Sequence, residues 1–132
     1  MSLTTFRLFF ATCASKGLKV TEADYTTAYL NAKLDAHIYL RQAEGFEERD
    51  QDGNLLRGPD NQEMVYELDK AIYGLVQSGL MWEEEHWSTL KSEGWEQSFS
   101  EPTLFKKEVD QVICYLCTYV DNLFMGFPEG AQ

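Results

Sequence analysis

Basic residues are scarce in this sequence: 11 Lys and Arg stand against 22 Asp and Glu among 132 residues, for a formal net charge of −11. A surface of that sign repels a phosphate backbone at long range and opposes nucleic-acid binding. The deficit is uneven. Residues 1–42 carry five basic and three acidic residues, net +2, and residues 43–132 carry six and nineteen, net −13. Any polyanion site has to sit in the first third. Cysteine is sparse too, and three of them do not make a disulfide framework. Cys114 and Cys117 form a C-x-x-C inside the apolar run 112–120, but positions i and i+3 of a strand point to opposite faces and cannot close on one metal. Buried reduced thiols in an intracellular compartment, cytoplasmic or nuclear, are the expectation. No apolar run approaches about 18 residues, so no membrane partner is expected. A glycine-rich phosphate loop, a zinc spacing and a Ser/His/Asp order are all lacking.

What is present is core material: 44% of residues are hydrophobic and 14% aromatic, enough for one domain over 1–132. Helical spacing predicts a helix over 4–15, ended by Gly17, then a strand over 18–21 and a second helix over 25–33. A short strand over 37–40 precedes a polar loop, 44–61, with Asp52-Gly53-Asn54 and Gly58-Pro59 as turn signals. A strand over 64–68, a long helix over 69–93 stopped by Gly94, and strands over 104–107, 112–120 and 123–127 complete the chain. That order is no regular βαβ alternation, so the class is α+β with a mainly antiparallel sheet and helices packed on one face.

Few residues offer chemistry. Asp121-Asn122 interrupts two apolar strands, either as a hairpin turn or as a carboxylate held at the tip to ligate a hard cation. Asp24 stands where a strand gives way to a helix, as an N-cap or a carboxylate facing a cleft. A sheet that places these segments side by side would bring both carboxylates together, an arrangement that favours a shared cation. The stretch Asp50-Gln51-Asp52-Gly53-Asn54 fails as a calcium loop, because positions six and twelve fall on Leu55 and Asn61. Glu83-Glu84-Glu85 reads as a solvated helix face, and His86 as a partly buried histidine on the apolar stripe of Leu75, Gly79, Trp82 and Leu90.

Taken in order, several blocks resemble the reverse transcriptase of copia-type LTR retrotransposons. Leu18-Lys19-Val20-Thr21-Glu22-Ala23-Asp24-Tyr25-Thr26-Thr27-Ala28-Tyr29-Leu30-Asn31-Ala32 is similar to that family's first catalytic block, and Ile38-Tyr39-Leu40-Arg41-Gln42 to the tract after it. Ala71-Ile72-Tyr73-Gly74-Leu75-Val76-Gln77-Ser78 with Trp82 resembles its Leu-Tyr-Gly-Leu-Lys-Gln block. Glu101-Pro102-Thr103-Leu104-Phe105 and Tyr119-Val120-Asp121-Asn122 complete the series. The resemblance implies a palm with part of the fingers, truncated so that thumb and RNase H domain are absent. It implies Asp24 and Asp121 as catalytic residues and ligands of Mg²⁺ or Mn²⁺ in a two-metal nucleotidyl transfer. It also implies nucleotide-binding roles for Tyr25, Thr27, Ala28, Tyr29 and Gln77. In the parent family the partners are a primer–template of RNA or DNA and deoxynucleotides.

This chain departs from that pattern. The family's second terminal aspartate is Asn122, and basic positions of its long-helix block are Asp69, Val76 and Leu80. The resemblance therefore points to a retrotransposon polymerase fragment that binds metal and duplex weakly or not at all and is inactive by itself. The alternative is an adopted, non-catalytic palm domain that serves protein interaction, with a protein partner or a second copy of itself.

Overall fold

The computed structural model describes residues 2–130. Helix α1 (Leu3–Ser15) is capped by Ser2, whose hydroxyl accepts the Thr5 N–H at 3.1 Å, and Gly17 turns the chain out of it at φ 65°. Strands β1 (Lys19–Asp24), β2 (Tyr39–Arg41) and β3 (Val65–Glu67) follow, then helix α2 (Ser78–Ser92) and strands β4 (Glu96–Gln97), β5 (Leu104–Val109), β6 (Val112–Tyr119) and β7 (Asn122–Phe127). Five strands form one antiparallel sheet in the order β1-β7-β6-β5-β4, and β2 pairs with β3 apart from it. The α+β class and the antiparallel sheet are as expected.

The helices do not lie on one face. Adjacent residues of β6 point opposite ways: Leu116 packs with Leu90 of α2, Phe105 and Leu123, whereas Cys117 packs with Phe9 and Cys13 of α1. One helix therefore covers each face. The physical reason was present in the sequence, since β6 reads as a continuous apolar run rather than an alternation, and such a strand needs cover on both sides. Its first residues, Val112 and Ile113, stay exposed; Cys114 through Thr118 carry the burial. α1 comes close because β7 has Gly126, where an added Cβ would lie 2.3 Å from the Cys13 sulfur.

Two predicted helices are shorter than their periodicity suggested. Over 25–33 only a four-residue 3-10 turn forms, Ala28–Asn31. Thr27 takes a left-handed φ of 54°, and the Asn31 amide donates back to the Thr27 carbonyl at 3.2 Å, so local side-chain bonding displaces a regular helix. Over 69–93 the helix begins at Ser78, because Gly74 at φ 103° and the Ser78 hydroxyl, bonded to the Ile72 carbonyl at 2.6 Å, make a turn first. Strand β4 is an element that the sequence did not announce. Asp50 is an Asx turn, its carboxylate accepting the N–H groups of Asp52 and Asn54, each at 2.9 Å. No helix among the described residues is long and apolar enough to cross a membrane.

Candidate active site

Register brings the two singled-out carboxylates to one end of the sheet. β1 pairs with β7 so that Asp24 stands opposite Asn122, and β6 pairs with β7 so that Asn122 stands opposite Tyr119. The residues between, Val120 and Asp121, are the hairpin turn, one position earlier than the Asp121-Asn122 turn read from the sequence. The Tyr25 N–H donates to the Asp121 carbonyl at 2.7 Å and stitches the end of β1 to the turn. Asp24 is exposed and Asp121 and Asn122 half-buried, so the carboxylates stay within reach of solvent.

The turn carries an unusual backbone. Val120 has φ 53°, and a β-branched residue there is a true outlier. Of the two central residues only Val120 is positive, the φ signs of a type II′ turn, which ordinarily takes glycine at that place. Strain of this kind concentrates at functional sites. The Val120 carbonyl accepts the Trp82 indole N–H at 2.6 Å.

The other expected site residues surround this corner unequally. Tyr29 is half-buried and its ring lies 4.4 Å from that of Tyr73, with its hydroxyl beside Gly79 of α2. Thr27 is exposed, whereas Ala28 is fully buried, backbone included, and offers no surface to a ligand, contrary to the nucleotide-binding role expected of it. Gln77 is half-buried just before α2. The Tyr25 ring turns inward, edge-on to Trp82 at 5.0 Å and to His86 at 4.9 Å, and burial pushes its phenol pKa up. Its contribution to the corner is its backbone.

Sequence reasoning passed over Tyr73 as an individual residue. Desolvation, and then the charges of Asp121, Tyr29 and Asp24, raise its phenol pKa, which places the hydroxyl in the field of both carboxylates. Its position inside the quoted long-helix block was the only available signal. His86 is buried at 3% exposure and stacked on Trp82, 5.0 Å between rings, beneath the corner rather than in it. Among the described residues no group of three Asp, Glu, His or Cys side chains converges. The donors that fit a hard divalent cation are the two carboxylates and the Asn122 amide oxygen, a set that can hold Mg²⁺ only with help from water or substrate oxygens.

The chain matches, over residues 1–129, the family model described as reverse transcriptase (RNA-dependent DNA polymerase). It is similar to a retrovirus-related Pol polyprotein from transposon TNT 1-94 of Nicotiana tabacum, 32% identical over 132 residues that make up 98% of this chain and 9% of that protein. A putative transposon Ty5-1 protein of Saccharomyces cerevisiae is 34% identical over 106 residues, 80% of this chain and 31% of that protein. A retrovirus-related Pol polyprotein from transposon RE2 of Arabidopsis thaliana is 29% identical over 122 residues, 92% of this chain and 8% of that protein. The chain thus spans less than a third of the length of each of these relatives. No solved structure matches. With nearly the whole chain inside the matched family, this protein belongs to the reverse transcriptase (RNA-dependent DNA polymerase) family, and the relatives named are transposon proteins.

Proposed function

We propose that residues 1–132 are a palm-type unit, with part of the fingers, from the RNA-directed DNA polymerase of a copia-type retrotransposon, and that this unit has lost polymerisation. The observation that carries the reading is the register setting Asp24 opposite Asn122, with Asp121 in the adjoining turn. Asp24 and Asp121 would hold Mg²⁺ or Mn²⁺, whose charge, when bound, stabilises the attacking and leaving oxygens of nucleotidyl transfer. In this reading the Tyr29 ring would meet the nucleotide sugar, with the Thr27 backbone and Gln77 on the nucleotide side. Cys13, Cys114 and Cys117 are buried and outside any disulfide, which suits a reducing compartment, cytoplasm or nucleus.

Loss of polymerisation is argued from charge. Asn122 gives the corner one negative charge fewer than the family's two terminal aspartates would, which weakens metal binding. Val76 and Leu80 stand exposed and neutral, and Asp69 acidic, at positions where the resemblance calls for phosphate-neutralising cations. These losses fall on different steps, so Asn122→Asp alone should not restore activity. The experiment is extension of a labelled primer on RNA and DNA templates with Mg²⁺ or Mn²⁺ and all four deoxynucleotides. We expect no extension and no duplex binding at physiological salt. Template-dependent extension that vanishes in Asp24→Ala would overturn the loss of activity.

A second reading, an adopted palm domain used in protein association, is favoured by one observation: Tyr73, Val76 and Leu80 expose apolar side chains around the start of α2, Val76 completely. Sedimentation of the chain against a Val76→Lys/Leu80→Arg variant tests it, with self-association lost in the variant as the supporting result.

A further inference from the structure

The turn between β6 and β7 is held from outside at both of its carbonyls. The Trp82 indole N–H of α2 donates to the Val120 carbonyl at 2.6 Å, and the Tyr25 N–H at the end of β1 donates to the Asp121 carbonyl at 2.7 Å. A side chain's direction follows from the φ and ψ of its own residue, and those from the orientation of the two peptide planes that flank it. The Val120 carbonyl belongs to the plane before Asp121 and the Asp121 carbonyl to the plane after it. With both planes fixed, only the side-chain torsions of Asp121 remain free. We propose that Trp82 is a positioning residue for the Asp121 carboxylate, acting through the Val120 carbonyl.

The restraint has something to oppose. Val120 sits at φ 53°, a conformation its branched side chain disfavours, so an untethered turn would relax toward other backbone angles and carry Asp121 away from Asp24. The donor is itself immobile: Trp82 is 4% exposed, its ring stacked on His86 and edge-on to Tyr25. One turn earlier Ser78 is fully buried and bonded to the Ile72 carbonyl, which anchors the start of the helix. α2 thereby governs the geometry of a carboxylate in the β6–β7 turn. Its functional meaning rests on the metal-facing role proposed for Asp121; the tether itself can be tested without metal.

The experiment is amide hydrogen exchange by NMR on the 132-residue chain, comparing wild type with Trp82→Phe and with benzothienylalanine at position 82, which keeps the ring shape and replaces the N–H by sulfur. Loss of one such bond should speed exchange of the Tyr25 amide roughly tenfold. The resonances of Val120, Asp121 and Asn122 should move, while the Leu116 and Leu90 amides keep their rates. An unchanged Tyr25 amide in both variants would overturn the proposal. So would a uniform acceleration of Tyr25, Leu116 and Leu90 in the isosteric variant, since that would make Trp82 core filling alone. Titration with Mn²⁺ separates the two levels of the reading. In wild type the Asp24 and Asp121 signals should broaden together, and in the variants Asp121 should broaden less than Asp24. A wild-type chain indifferent to Mn²⁺ would overturn the metal reading, whereas a responsive wild type with identically responsive variants would overturn the positioning role alone.

Discussion

Replacing His86 by leucine should make the protein more stable and remove part of its sensitivity to acid. The imidazole is buried at 3% exposure, and its Nε2 finds no hydrogen-bond partner among the described residues. Burial pushes its pKa down from 6.5 to about 4. In the unfolded chain the ring takes up its proton near pH 6.5; in the native state it resists until about pH 4. Between those limits the unfolded state binds more protons, so stability is complete above about pH 6.5 and falls as the pH is lowered toward 4. A depression of that size corresponds to about 3 kcal/mol of linkage. Leucine also removes an unsatisfied buried nitrogen, worth about 1–3 kcal/mol, offset in part by the lost stacking on Trp82. Urea denaturation of wild type and His86→Leu from pH 7.5 to 4 is the assay. Carboxylates common to both proteins cancel in the difference. The variant should be more stable by about 1 kcal/mol at pH 7.5, and the gap should widen by about 3 kcal/mol on reaching pH 4. A gap independent of pH, or one that narrows in acid, would refute a neutral buried imidazole.

Gly126→Ala should cost about 1–3 kcal/mol, because the new methyl lands 2.3 Å from the Cys13 sulfur; Cys13→Ala in the same chain should recover much of it, since the next contact, the Cys13 Cβ, is an ordinary 3.6 Å away. Thermal unfolding of the two single variants and the double variant measures that coupling, and strictly additive losses would deny the contact. Val120→Gly should leave stability unchanged or raise it by up to about 1 kcal/mol, since glycine accepts a positive φ; a loss above that size would refute the strain at the turn. Calorimetric titration with Mg²⁺ or Mn²⁺ should find no submicromolar site, and tight binding abolished by Asp121→Ala would contradict the weak two-carboxylate corner.

Local order was legible where neighbours in sequence decide it. The helix over 4–15 has its stop at Gly17, and the apolar strands announce themselves by composition. The sequence by itself also pointed to the family, because several blocks in one order are far more specific than any single block, and it singled out Asp24 and Asp121 as the carboxylates to follow. It overstated both inner helices, since helical periodicity does not weigh Asn31 and Ser78 bonding back to nearby carbonyls. Tertiary structure alone decided the rest. Which strand neighbours β1 is a contact across about a hundred residues, and only that pairing sets Asp24 opposite Asn122. The continuous apolar run of β6 called for cover on both faces, but which helix takes which face follows from the residue each one finds, Cys117 for α1 and Leu116 for α2. The Val120 left-handed turn and its Trp82 tether exist because a helix 38 residues earlier in the chain supplies a donor there, and no local pattern encodes a bond whose partners meet only after the core has closed.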